Sequence, residues 1–276
     1  MSTTTPTSPT VPKTPDAPEA DRAGARPRLR LRDRVEAETI GLLLVLPVLV
    51  VVVFLGYVWW RQTADLDSIE RSALAWPAIR EQIVHHIELT VVSSVIVVAV
   101  AVPLGILLTR GPARSFAPVV VGIANAGQAA PSIGLVALLA IWLGIGFWTA
   151  ILALTLYGLL PVLRNTITGL DGVDPTLVEA GRGIGMSAGA VLLRIELPLA
   201  LPVIMAGIRT ALVLVVGTAA LVTFIGAGGL GDSLVAGINL FRFKVMIASA
   251  LLIALLALLV EWAGRVLELV FRPKGI

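Results

Sequence analysis

His85 and His86 are the only imidazoles in this 276-residue chain, which has no cysteine. Adjacent helical residues point about 100° apart, so the pair cannot clamp a metal as i, i+4 ligands do, and both read as interfacial side chains at the outer start of an apolar segment. Asp171 and Asp174 precede Pro175, which suits a first helical position, so they read as a turn and a helix start with charge set against the helix dipole, not as an acid–base pair. GAGGLGD, Gly226 to Asp232, resembles a phosphate cradle superficially, yet it lacks the Lys and Ser/Thr of a nucleotide loop and follows no strand. No Ser-His-Asp set, metal cluster or paired acids assemble on one face. A membrane protein that drives ions by itself keeps carboxylates, lysines or histidines inside its apolar segments. Here only Glu88, Arg209 and Glu261 come near, each toward a segment end; Arg209 reads either as snorkelling or pairing at the inner interface or as a pathway group. The energy for any transport must then arrive from another protein.

One charged, glycine-punctuated stretch has the form needed to receive it: EAGRGIGMSAGAVLLRIELP, Glu179 to Pro198. Gly185 interrupts any helix, Ser187 suits the cap of a new one and Pro198 is a stop signal, so the spacing predicts helix, tight turn, helix. Ala180, Gly181, Gly183 and Gly185 keep the surface low, which lets a partner's groove approach the backbone. The shape suits docking better than catalysis.

The same residues carry a resemblance. Glu179 and Ala180, then Gly185, then Ile195, Leu197 and Pro198 fall in the register of the EAA cytoplasmic loop of permease subunits in ATP-binding-cassette importers, with Gly181 standing where that loop has its second alanine. A wider likeness, from about Ile87 to Val270, includes LLPVLRNTITGLDGVDPTLVEA, LPLALPVIMAGIRTA and FIGAGGLGD, and is similar to the glycine betaine, carnitine and choline branch. The resemblance implies an all-α transmembrane helix bundle of the type I importer permease fold. It implies no enzyme activity and no cofactor on this chain, ATP and Mg being held by a separate cytoplasmic ATPase dimer. It further implies an external solute-binding protein, a second permease copy or a sister permease, and a quaternary-ammonium solute. It makes Gly226, Gly228, Gly229 and Asp232 a flexible external loop or gate element. The alternatives are a same-class importer of another small solute such as an amino acid, an ion-coupled secondary transporter, and a scaffold without transport.

The elements that must position these residues are apolar. Hydrophobic residues make up 57% of the chain, against roughly 45 to 50% in soluble domains, and mean hydropathy is +0.94. The apolar runs are about 20 residues long, enough to cross a bilayer as helices, and they do not alternate as barrel strands would. Lipid is therefore a partner; nucleic acid is not, because the basic residues behind the net charge of +3 flank apolar runs. Residues 1–36 read as a basic cytoplasmic tail, disordered at its Thr- and Pro-rich start, and 37–84 as a retained first span with its external loop. Residues 85–271 form the permease core with a cytoplasmic coupling segment over 164–201, and 272–276 form a cytoplasmic end. Spans are expected at about Ile40–Trp60, Ile87–Thr109, Pro118–Leu143, Phe147–Leu163, Pro202–Ile225 and Val245–Val270. Of 21 Lys and Arg, Arg61, Arg71, Arg80, Arg242 and Lys244 fall outside and the other 16 inside, which places both termini in the cytoplasm; the resemblance implies that the membrane is a cell's inner one.

GIANAGQAAPSIGL, Gly122 to Leu135, puts two amides and a proline inside an apolar run. It reads either as close helix packing through small residues or as a broken helix beside a water-filled path. Asn125, Gln128, Pro131 and Ser132, with Thr218 and Thr223 behind them, are the pathway candidates. Only 15 residues are aromatic, most of them at interfaces, so a cation-binding aromatic cage is not expected here.

Overall fold

The computed structural model describes residues 31–271, and among them only helices and turns occur. The expected tail before Leu31 and the end at 272–276 lie outside the described residues. Helix α1 runs Leu31–Thr63, α2 Ser68–Ala73 and α3 Trp76–Leu108. A 3-10 turn, Gly111–Phe116, leads into α4 (Ala117–Ala129) and α5 (Ser132–Leu143), and α6 follows over Phe147–Asp171. Two short helices, α7 (Pro175–Gly183) and α8 (Ala188–Val191), precede α9 (Leu197–Ala219). After a 3-10 turn at Val222–Ile225 come α10 (Gly231–Asn239) and α11 (Phe243–Phe271). Five stretches are long and apolar enough to cross a membrane, or six if the bent pair α4–α5 counts as one.

Glycine sets the packing of the centre. A methyl group at Gly158 of α6 would lie 3.0 Å from both Val97 of α3 and Val215 of α9, so three helices meet where that side chain is missing. A methyl group at Gly207 of α9 would likewise meet the Asn165 Cβ of α6 at 2.6 Å. Leu154, Val162, Leu163, Val215 and Val216 are fully buried around these contacts, and α6 is the helix with the largest buried share.

Four boundaries differ from the expected ones, each for a local reason. Helix α3 starts well before Ile87 because Trp76 and Pro77 occupy its first positions and the Arg61 guanidinium lies 4.7 Å over the Trp76 ring while donating to Leu74 O. The segment before it, expected as a loop, holds α2 behind a capping box between Asp67 and Glu70. Helix α6 continues past Leu163 to Asp171, since Thr166, Gly169 and Leu170 are buried against neighbouring helices. The fifth span stops at Ala219 and turns over Val222–Ile225, well short of one straight helix.

The third span is broken. The axes of the two halves turn by 100° between Ala129 and Ser132. Ala130 takes the extended backbone that a following proline favours, with ψ 142°, and Pro131 caps α5. Of the two readings of Gly122 to Leu135, the broken helix is the one observed.

Candidate functional site

Asp174 opens the predicted hairpin. Its carboxylate accepts from the Thr176 N–H at 2.9 Å and the Thr176 hydroxyl at 2.8 Å, and these two donors, the backbone one first, hold its pKa below the usual carboxylate value. Helix α7 then runs to Gly183, and the turn closes by Gly185 N–H to Arg182 O and Met186 N–H to Gly181 O. Gly185 sits at φ +89°, a conformation that glycine adopts freely. Ser187 caps α8 by accepting from Ala190 N–H at 3.3 Å. The helix–turn–helix expected from the sequence is therefore present, with Glu179, Ala180 and Gly185 exposed on it. Gly181 is buried, and a methyl group there would meet Ile195 Cδ1 at 2.5 Å, so the small residue leaves room for Ile195 to pack under α7. At the tip, Ile184 is 81% exposed, and Leu177 near the start of α7 and Leu193 in the second arm are exposed too.

Pro198 does not stop the second helix of this hairpin. The chain stays helical from Ala188 to Ala219. It does so by widening: Leu192–Glu196 form a π-turn in which Leu197 N–H reaches back to Leu192 O. The wider turn removes the need for a proline N–H and the clash of its ring with the preceding turn. Leu197 and Pro198 are half-buried at the start of α9.

Glu196, the last residue of the π-turn, is 5% exposed. Both Arg110 terminal nitrogens donate to its two carboxylate oxygens, one at 3.1 Å and the other closer. Next to this pair Arg114 meets Asp171 at 3.2 Å. A cleft of about 380 Å³ opens there, lined by Arg110, Arg114, Asp171, Glu179, Arg182 and Glu196 among others. Partial burial, and next the charge of Arg182, draw the Arg110 pKa below the usual arginine value. Neither Arg110 nor Glu196 was among the residues singled out in the sequence; the only signal was a carboxylate at the variable position of Ile-x-Leu-Pro.

The pathway candidates fall into two groups. Gln128, Pro131 and Ser132 surround the break, with Gln128 donating to Tyr157 O at 3.4 Å, while Asn125 is exposed on α4. Tyr157, which sequence reasoning passed over, donates its hydroxyl to Ala130 O at 3.0 Å and so satisfies the carbonyl that the break leaves free. Thr218 and Thr223 lie with the glycine-rich segment instead. The Thr223 hydroxyl donates to Asp232, which brings one pathway candidate and one gate candidate together, and Thr218 is buried at the end of α9.

The glycine segment is packed rather than loose. Gly226, Gly228 and Gly229 have φ of +71°, +78° and +91°, and a methyl group at Gly231 would collide with Ala220 O. The His85 ring lies under Gly228 and the His86 ring under Gly229. Interfacial placement fails for His86, which is fully buried. Because α3 starts at Trp76, His86 is nearly three turns inside the helix, and there Leu230 N–H donates to its Nδ1 while Nε2 bonds Val216 O at 3.0 Å. With Nδ1 as acceptor, Nε2 carries the proton. Arg209 pairs with Glu268 at 3.2 Å and Glu261 at 3.6 Å, so its charge is met between α9 and α11.

Residues 101–272 match the family of binding-protein-dependent transport system inner membrane components. The chain belongs to that family. Among relatives of this transport family, the carnitine transport permease protein OpuCB of Listeria monocytogenes is 44% identical over 191 residues, 69% of this chain and 87% of that one. The glycine betaine/carnitine/choline transport system permease protein OpuCB of Bacillus subtilis is 41% identical over the same shares. The osmoprotectant import permease protein OsmW of Salmonella typhimurium is 43% identical over 196 residues, 69% of this chain and 90% of that one. An inward-facing structure of the MetNI methionine ABC transporter has a TM-score of 0.62 at 24% identity, covering 72% of this chain and 98% of that one, which establishes a shared fold. The protein is thus an inner-membrane, multi-pass component of a binding-protein-dependent transport system, and Ala188–Ala219 and α6 lie at the centre of its helical core.

Proposed function

We propose that this chain is the permease subunit of an ATP-driven importer for a quaternary-ammonium compatible solute of the glycine betaine, carnitine and choline class. The hairpin Glu179–Pro198 receives a cytoplasmic ATPase dimer that holds ATP and Mg; an external binding protein delivers the solute; a second permease copy or a sister permease completes the pore. Both termini lie in the cytoplasm. The observation that carries this reading is the exposed Ile184 at the turn, with Leu177 and Leu193 exposed on the two arms, on a capped hairpin between two membrane helices. The names of the relatives, which carry carnitine, choline and glycine betaine, support the solute class. The sparse aromatic content supports recognition of the cation on the binding protein.

Proteoliposomes holding this chain with its ATPase and binding protein should accumulate labelled glycine betaine, carnitine or choline when ATP is supplied. The chain alone should accumulate none. Uptake by the chain alone along an ion gradient would overturn the reading, as would an ATP-dependent uptake confined to an unrelated solute.

A further inference from the structure

The hairpin is joined to the membrane helices by the chain at both ends, through Gly172–Asp174 to α6 and through the π-turn into α9, and Val178 and Leu192 pack with Val102 and Ile106 of α3. Its directional link is a different one, the bidentate contact of Glu196 with Arg110, which lies 86 residues earlier in the chain. Arg110 is the residue between the end of α3 and the 3-10 turn Gly111–Phe116, and that turn runs straight into α4, the first half of the broken helix. Among the described residues no other side-chain hydrogen bond or ion pair joins the α3–α4 corner to the α7–α9 hairpin.

The route into α9 is soft at its base. A π-turn holds one residue more than its neighbours require, and Pro198 contributes no N–H just after it, so the ladder is weakest at Pro198. A hairpin that pivots there loses much of its displacement before α9 moves. Glu196 lies on the hairpin side of that point and is held by Arg110 at both oxygens. The cleft beside the pair leaves α7 room to swing.

As a fastener the pair is a poor choice, because burial of Glu196 costs it hydration that offsets part of the Coulomb gain, while solvent at the 38% exposed Arg110 side chain screens the attraction. What a bidentate Arg–carboxylate contact provides is direction: two parallel hydrogen bonds fix distance and angle together. We infer that the Arg110–Glu196 pair is a strut that carries movement of the coupling hairpin to the broken helix α4–α5, so that Arg110 and Glu196 are positioning residues for that broken helix.

The inference rests on the hairpin being the ATPase contact. Its test is therefore run in the complete complex, with uptake and ATP hydrolysis measured together. R110M/E196L keeps the volume and removes the charges; it should assemble with the ATPase and melt at or above the wild-type temperature, while solute moved per ATP falls by about tenfold, within the usual range of a coupling between sites. The exchange R110E/E196R should recover at least about a third of wild-type coupling, because the charges are restored in reverse. If R110M/E196L transports at the wild-type ratio, the strut is overturned. If R110M/E196L is uncoupled but the exchange recovers nothing while still assembling, the pair acts only through local packing and the strut is again overturned. A wild-type complex that shows no ATP-dependent uptake would instead overturn the proposed function.

Discussion

Gly183 and Gly185 stand two residues apart in the hairpin, yet a side chain would cost them different things. At Gly185 the backbone is left-handed, φ +89°, so any L-residue is strained there by roughly 1 to 2 kcal/mol. Loss of function in a Gly185 variant therefore mixes strain with obstruction. Gly183 has helical backbone and no heavy atom within 4 Å of a prospective Cβ. Gly183→Trp adds bulk beside Ile184 without forcing the turn. It should leave permease stability within about 0.5 kcal/mol by thermal melting, as for an unconstrained surface substitution. It should also lower co-purification with the ATPase and cut solute uptake by tenfold or more, on the order of losing an interface hot spot. Unchanged uptake would mean that the partner does not cover this face of the hairpin.

The broken helix α4–α5 is an element held by two unlike devices. Pro131 keeps Ala130 extended, and the Tyr157 hydroxyl takes up the Ala130 carbonyl that has lost its helical partner. Removing both should let the halves straighten, since a continuous helix would satisfy that carbonyl itself. Ile123 and Leu138 are exposed on either side of the break, and the chain has no native cysteine to interfere with labelling. At 1.5 Å rise per residue, spin labels at these positions should lie about 14 Å apart across the bend and about 22 Å apart in a straight helix. Pro131→Ala with Tyr157→Phe should shift the distance measured by pulsed electron resonance toward the longer value; no shift would show that tertiary packing alone imposes the bend. The same element shows where sequence reading stops. Two amides and a proline in an apolar run made Gly122 to Leu135 conspicuous, but the choice between packing and breakage depended on Tyr157, 27 residues away. The hairpin was legible because Gly185, Ser187 and the cap at Asp174 act on residues within one turn. The passage of the helix through Pro198 was not, because it needs a π-turn whose last residue is held from Arg110. Nor was burial of His86, whose space is provided by Gly229 and whose ring bonds Leu230, 144 positions on.

At the scale of the molecule, charge is sorted by the two ends of the bundle. Arg61, Arg242 and Lys244 gather with Asp65, Asp67 and Glu70 at the end where α1, α3 and α11 meet their short connections. Arg110, Arg114, Arg182 and Arg194 gather at the other, around the hairpin. Orientation follows the count of Lys and Arg in short loops and not net charge, because acidic residues contribute little to retention. The carboxylates around Lys244 therefore do not cancel the bias expected from the sequence, 5 Lys and Arg outside and 16 inside. This sorting bears on the proposed function, since the ATPase it requires could reach Ile184 only from the cytoplasm. Ser72 on α2 and Ala188 on α8 are both exposed, one at each end, and each becomes the only thiol of the chain when replaced by cysteine. In intact cells an impermeant maleimide should label Ser72→Cys and not Ala188→Cys, and permeabilisation should expose the second without changing the first. The opposite pattern would place the hairpin outside, where no ATPase can meet it, and would remove the physical basis for driving the bundle through Glu179–Pro198.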